Sequence, residues 1–139
     1  MIFLDTEFDG FGGRLISIGM VSDRGGEEFY SVLQVTAKEP WVQEHVLPFL
    51  VRDREEWHAY RTRLIAYLRR HPGEPVVADW PEDLAHLLNS LCEPGGISFE
   101  IELDLRLILS GKLDSKVPHN ALSDARALMS WHNQEVGIR

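Results

Sequence analysis

Three short apolar segments joined by glycine-rich loops open the chain. Residues 2–8, 14–22 and 28–35 have the composition of β-strands, and the loops between them read DGFGG at 9–13 and DRGG at 23–26. Short loops rich in glycine are typical of hairpins between antiparallel strands. The sequence therefore predicts a three-strand antiparallel meander at the start of the fold.

The hydrophobic pattern changes to a helical period after the third strand. The first long helix is predicted to begin with a capping box formed by Asp53 and Glu56. A meander followed by βα units predicts an α/β fold, in which a mixed sheet carries helices on both faces. Residues 1–139 are predicted to form one domain, because a chain of this length leaves no room for a second. The other predictions are helices at 41–50, 53–70, 82–91 and 122–135 and strands at 75–79 and 98–105.

Charge and cysteine content narrow the class of function and the compartment. The formal net charge of −8 argues against a protein that coats long nucleic acids by general electrostatics. Cys92 is the only cysteine, so no intrachain disulfide can form and a cytoplasmic location is predicted. The apolar start stops at Asp5 and no later segment has the length of a membrane span, so neither a signal peptide nor a membrane anchor is predicted.

Two acids, Asp5 and Glu7, lie inside the first apolar strand. Residues two apart on a strand point to the same face, so the two carboxylates repel each other. A divalent cation removes that repulsion, and hard oxygen ligands suit Mg²⁺ or Mn²⁺. The alternative is a solvent-facing strand that happens to carry two acids.

Further acids cluster where the 75–79 strand meets the next helix. Asp79, Glu82 and Asp83 all lie at this junction, and Asp83 is followed by leucines on one turn of the helix. Taken by themselves, all three are well explained as acids that favour the positive end of the helix dipole, so this segment alone says little about function.

A histidine and an acid stand at the start of the last predicted helix. His119 and Asp124 are five residues apart, which on one helix would place them on different faces. They converge only if His119 lies in the loop before the helix, and Pro118 supports a break there. The alternative is a capping or surface histidine with an exposed helical acid.

Together these segments resemble the DEDDh 3′→5′ exonuclease family of the RNase H-like superfamily. LDTEF at 4–8 is similar to the family's first motif, PEDLAHLL at 81–88 to its second and HNALSDA at 119–125 to its third. The three motifs follow in the family's order and span nearly the whole chain.

Two finer features qualify this resemblance. The second motif has Trp-Pro-Glu where Asn-Ala is usual, so Asp79 stays open as an alternative to Asp83, which the downstream leucine spacing favours. Residues 14–31 and 41–48 are further similar to a short, stand-alone branch of 3′→5′ exoribonuclease-like proteins.

The resemblance implies a two-metal hydrolysis of phosphodiester bonds from the 3′ end of single-stranded nucleic acid, with RNA as the expected polymer. Asp5, Glu7, Asp83 and Asp124 would hold two Mg²⁺ ions, which Mn²⁺ can replace, and Asp5 would bridge them. His119 would act as the general base.

Substrate contacts and assembly are also implied by the resemblance. Backbone groups of Thr6 and Phe8 would meet the terminal 3′-OH, and the Phe8 ring would either stack on the last base or belong to the core. Related nucleases suggest a homodimer. The alternatives are a 3′→5′ DNA exonuclease of proofreading type, a non-catalytic nucleic-acid-binding module with the same fold, and a phosphohydrolase of small nucleotides.

Overall fold

A computed structural model describes residues 1–50, 52–92 and 101–137 of the protein. The described part is a mixed β-sheet flanked by helices. The strands are β1 (Ile2–Phe8), β2 (Leu15–Ser22), β3 (Glu28–Leu33), β4 (Arg54–Glu55), β5 (Val76–Ala78) and β6 (Leu105–Leu107). The helices are α1 (Pro40–His45), α2 (Trp57–Arg70), α3 (Pro81–Ser90) and α4 (Ala121–Gly137), with a 3₁₀ turn at Leu47–Phe49.

The predicted meander is confirmed. β1 pairs antiparallel with β2, and β2 pairs antiparallel with β3. Gly25 and Gly26 make the turn between β2 and β3 with φ angles of 79° and 71°, a left-handed conformation that glycine adopts without a steric penalty. Every residue of β2 is buried, because this strand lies inside the sheet and both of its faces are covered.

Parallel strands extend the meander on both sides. β5 pairs with β1 and β6 with β5, while the two-residue β4 pairs with the outer edge of β3. The order across the sheet is β4-β3-β2-β1-β5-β6. This α/β arrangement, antiparallel and then parallel, is consistent with an RNase H-like fold and confirms the predicted fold class.

Helices cover both faces of the sheet, as predicted. On one face Leu4 packs with Leu64 of α2 and Leu87 of α3, and all three are fully buried. On the other face Phe3 packs with Leu128 of α4. Truncating a fully buried leucine in such a core typically costs about 2–5 kcal/mol, so both layers contribute strongly to stability.

The predicted capping box at the start of α2 is wrong. α2 begins at Trp57, and Glu56 precedes it without a side-chain capping bond. The backbone before it forms β4 instead, where the carbonyl of Glu55 accepts a hydrogen bond from the Gln34 N–H at 3.0 Å. The Glu55 carboxylate is bonded by Ser31 and Arg63, so pairing with β3 outweighs the local helical preference.

The predicted strand at 98–105 is only partly observed. Residues 98–100 lie outside the described residues, residues 101–104 are not in a strand, and β6 begins at Leu105. Its partner β5 has three residues, which limits the ladder to three residues on β6. The alternation that suggested a longer strand has another cause, since Ile101 and Leu103 pack against the core.

The segment predicted as one helix at 41–50 is divided. α1 ends at His45, and the 3₁₀ turn follows with Pro48 inside it. Proline lacks the N–H that a continuing helix would use. Among the helices of the described residues, none combines the length and apolar character needed to cross a bilayer.

Candidate metal centre

The two acids of β1 face α4. Because Phe3 packs beneath α4, residues two and four further along the strand, Asp5 and Glu7, point to that helix as well. Carboxylate oxygens of Asp5, Glu7 and the α4 residue Asp124 all lie within 4.8 Å of one another. The strand and the helix thus bring three acids together that are far apart in sequence.

A glycine in β2 allows α4 to come this close. Gly19 lies beside Asp5 in the β1–β2 ladder. A Cβ atom at Gly19 would overlap the backbone of Ala121 and Leu122, so the first turn of α4 packs directly on the main chain of β2. This role was not predicted, although a glycine inside an apolar strand often marks such a close approach.

The start of α4 is held in place by side-chain hydrogen bonds. The Asn120 side chain accepts the N–H of Ser123 at 3.1 Å, an N-cap interaction, and donates to the Phe49 carbonyl at 2.9 Å. His119 precedes the cap in the loop, with a left-handed φ of 64°. Its N–H donates to Oδ2 of Asp124 at 3.0 Å, so the acid also fixes the loop that carries the histidine.

Asp83 reaches the site from the first turn of α3. It is buried, and its Oδ1 atom accepts two hydrogen bonds from Thr6, one from the N–H at 3.1 Å and one from the hydroxyl at 2.6 Å. Thr6 is buried as well. Thr6 is predicted to meet the substrate through its backbone. Its N–H donates to Asp83 instead, and this bond orients an acid of the site.

Asp79 joins the cluster from the end of β5. Oxygens of Asp5, Asp79 and Asp83 lie within 4.8 Å of one another, and the hydroxyl of Ser110 donates to Oδ2 of Asp79 at 2.5 Å. The structure brings both acids that the sequence left as alternatives, Asp79 and Asp83, close to Asp5. Asp5 belongs to both groups of three.

Burial and mutual repulsion raise the pKa values of the cluster. Burial, followed by the charges of Asp83, Glu7 and Asp124, raises the pKa of Asp5 well above its usual range. Burial also raises the pKa of Glu7 to about 8 and that of Asp83 to about 7, and it raises the pKa of Asp124. Glu7 and Asp83 therefore carry protons for a large part of the time near neutral pH unless a metal cation replaces those protons.

Within the described part of the chain, the Arg ion pairs involve acids other than those of the cluster. The cluster's favourable contact with a potential cation is that of Asp124 with His119, which lowers the pKa of Asp124 against the effect of burial. The Oδ2 atoms of Asp5 and Asp83 are enclosed and receive no hydrogen bond from the protein. Buried polar atoms are rarely left without a partner, so these two oxygens fit a role as acceptors of a cation or a proton.

A cleft of about 600 Å³ opens in front of the acids. Asp5, Glu7 and Asp83 line it together with His119, whose ring meets the edge of the Trp41 ring at a centroid distance of 5.0 Å. The structure thus brings all five predicted catalytic residues to one place, Asp124 through its contact with Asp5 and Glu7.

Phe8 lies between the cleft and the helix layer. It lines the cleft, and its ring packs against the ring of His86 on α3 at 5.0 Å. The two predicted alternatives for Phe8, stacking on the last base and packing in the core, both stay predictions, because the residue is half-buried and borders the cleft and α3 alike.

Comparison with protein-family models and with curated proteins found no match for the chain. The geometry of the cluster therefore carries the functional argument.

Proposed function

We propose that the protein is a metal-dependent 3′→5′ exonuclease that hydrolyses single-stranded nucleic acid, with RNA as the preferred polymer. The observation that carries this proposal is the cluster of five acids, in which two groups of three share Asp5. An arrangement of this kind is costly for stability unless it binds cations, so it is more simply explained by function than by folding.

The donor atoms fit Mg²⁺ or Mn²⁺. All candidate ligands are carboxylate oxygens, which hard divalent cations prefer, and no Cys or His is part of either group. Asp5, Glu7 and Asp124 would hold one ion, and Asp5, Asp79 and Asp83 the other. When bound, such ions stabilise the negative charge that develops on a phosphate during hydrolysis.

His119 is the proposed general base. It lines the same cleft as Asp5 and Glu7, and the bond from its N–H to Asp124 fixes its backbone beside the acids. A neutral imidazole can take the proton of an attacking water at neutral pH. The contact with Trp41 limits the positions that the ring can adopt.

Hydrolysis of end-labelled oligonucleotides tests the proposal. Single-stranded RNA and DNA of one sequence, labelled at the 5′ end, are incubated with Mg²⁺, Mn²⁺ or EDTA. We expect a ladder that shortens from the 3′ end, requires the metal and is lost in Asp5→Asn. Asp53→Asn, an exposed acid outside the site, is the matched control and should cleave normally.

The same assay separates the alternatives. Cleavage of DNA but not RNA would favour a proofreading-type exonuclease, and cleavage of a nucleotide ester alone would favour a phosphohydrolase of small nucleotides. Binding of oligonucleotides without hydrolysis in any metal would mean a binding module with this fold. The homodimer and the cytoplasmic location stay predictions, which sedimentation and cell fractionation would check.

A further inference from the structure

A second cleft, of about 730 Å³, lies along the side of α4. One wall is the segment 112–117, and the other consists of helix residues between 122 and 134. Among the described residues, none lines both this cleft and the acidic cleft in front of the acid cluster. Its volume lies in the range of clefts that bind small molecules, which is roughly 300–1,000 Å³.

Lysine is unevenly placed in this protein. The chain has three lysines, and two of them, Lys112 and Lys116, line the second cleft together with Arg126. Asp114 is the acid found among the described lining residues. We call the cleft lined by Lys112, Lys116, Arg126 and Trp131 the basic groove. On a protein with a net charge of −8, such a local excess of positive charge favours an anionic ligand at this place.

Three donors of the basic groove have no partner within the described part of the chain. Lys112 and Lys116 form no ion pair there, and the indole N–H of Trp131 donates to no protein atom. A Cβ atom at Gly111 would lie 3.1 Å from the indole nitrogen, so the glycine leaves that N–H uncovered. Arg126 differs, since Glu28 accepts two hydrogen bonds from its guanidinium at 2.6 Å each.

The wall that carries the lysines is fixed on α4. The Ser123 hydroxyl accepts the N–H of Val117 at 3.0 Å and shares a hydrogen bond of 3.0 Å with the Ser115 hydroxyl. Val117 and Ser115 flank Lys116 in the sequence. The backbone of Lys116 is therefore positioned beside the helix by the protein itself, which lowers the ordering cost of binding a ligand.

We propose that the basic groove binds a nucleotide, with its phosphates on Lys112 and Lys116 and its base against Trp131. Trp131 is half-buried, and Leu122 and Ala127 line the groove as well, so apolar surface lies beside the charges. An aromatic side chain with an available donor suits a base, and the two ammonium groups suit phosphate oxygens. This site is separate from the acid cluster, and the proposal goes beyond the proposed exonuclease function.

The distribution of charge favours a small ligand over a polymer. A nucleic-acid strand carries one charge on every nucleotide and would need cations along the whole groove. In the described residues, the unpaired cations Lys112 and Lys116 both belong to one wall, and the far part of the helix contributes the neutral residues Ser130 and Gln134. An extended acidic peptide would meet the same limitation.

Calorimetry with ADP tests the groove. The titration is done in EDTA, because without divalent cations the charges of the acid cluster repel phosphates and the nucleotide cannot bind there. We expect the wild type to bind one ADP per chain. Lys112→Gln combined with Lys116→Gln should weaken ADP binding at least roughly ten-fold, since both substitutions remove hydrogen bonds between charged groups.

The third lysine provides the matched control. Lys38 is exposed and does not line the basic groove. Lys38→Gln changes the net charge in the same way as one groove substitution and should leave ADP binding unchanged. A loss of binding in Lys38→Gln as large as in the groove variant would assign the effect to net charge and would overturn the site.

Pyrophosphate separates the contribution of the phosphates from that of the base. The wild type should bind ADP roughly ten-fold more tightly than pyrophosphate, and Trp131→Leu should remove this difference without weakening pyrophosphate binding. Trp131 also packs against the core, so circular dichroism must show that the variant is folded. Ser130→Glu changes an exposed residue of the groove and should weaken the binding of both ligands, which gives a test that does not depend on Trp131.

Every result of these titrations is independent of hydrolysis, so the exonuclease assay can succeed or fail separately. No ADP binding by the wild type in EDTA, or equal binding by the double lysine variant, would overturn the nucleotide site. Equal affinity for ADP and pyrophosphate would overturn the role of the base. If a glutamate hexapeptide or a single-stranded oligonucleotide binds through the two lysines and ADP does not, the groove takes a polymer and the proposal is wrong.

Discussion

Replacing Asp5 with asparagine is expected to stabilise the metal-free protein while abolishing its activity. Asp5 belongs to both groups of acids, and the oxygens of each group lie within 4.8 Å of one another. At an effective dielectric constant of about 20, two unit charges at that distance repel by about 3 kcal/mol. Protonation relieves part of this repulsion, so we expect a gain of about 2 kcal/mol and a rise of roughly 5 °C in Tm.

The gain should depend on pH in a defined direction. Burial raises the pKa of Glu7 to about 8 and that of Asp83 to about 7, so between the usual carboxyl range and those values the folded protein holds more protons than the unfolded chain. Stability then falls as pH rises through that window. Burial, followed by the charges of Asp83, Glu7 and Asp124, raises the pKa of Asp5 as well. Asp5→Asn removes this titrating group, so the variant should lose less stability than the wild type as pH rises.

Thermal unfolding followed by circular dichroism in EDTA, from about pH 5 to about pH 9, measures both effects. Asp53→Asn, which removes an exposed acid, should leave Tm unchanged. Added Mg²⁺ should raise the Tm of the wild type and not that of Asp5→Asn. A lower Tm for Asp5→Asn in EDTA at about pH 8 would refute the reasoning, because it would mean that the Asp5 charge is balanced within the protein.

Three further predictions concern residues around the cluster. His119→Ala should lower kcat about 10²–10⁴-fold with Tm unchanged, and unchanged turnover would remove His119 from the mechanism. Gly19→Ala should lower Tm and weaken Mg²⁺ binding, because its Cβ would overlap the α4 backbone at a cost of about 3 kcal/mol or more; a fully stable variant would contradict that contact. Thr6→Val removes the hydroxyl bond to Asp83, which should raise the pKa of that acid further and move Mg²⁺ binding to higher pH; calorimetry across pH that matches the wild type would contradict this role.

Several parts of the fold and site could be predicted from short stretches of sequence. The antiparallel meander followed from apolar segments and glycine loops, which act locally. The common direction of Asp5 and Glu7 followed from the period of a strand. The position of His119 before the last helix followed from Pro118 and from the spacing to Asp124.

Other parts depend on contacts between distant residues and left no local signal. Asp83 is oriented by Thr6, which lies 77 residues away, and Asp79 reaches the cluster because β5 pairs with β1. The predicted capping box at Asp53 is wrong for the same reason. The backbone just before α2 pairs with β3 and forms β4. A sequence pattern shows which structure a segment favours by itself. The structure of these segments is set by contacts with distant parts of the chain.

Because α4 packs directly on Gly19, the distance between the α4 backbone and the β2 backbone at this point does not depend on the size of a side chain. Elsewhere in this core, a change such as Leu128→Ala alters the volume between helix and sheet and lets the two layers shift. At Gly19, main chain meets main chain, so the separation there does not depend on which side chains fill the rest of the layer. Substitutions elsewhere in the core can therefore change the thermal stability of the protein while the spacing between Asp5 and Asp124 stays the same.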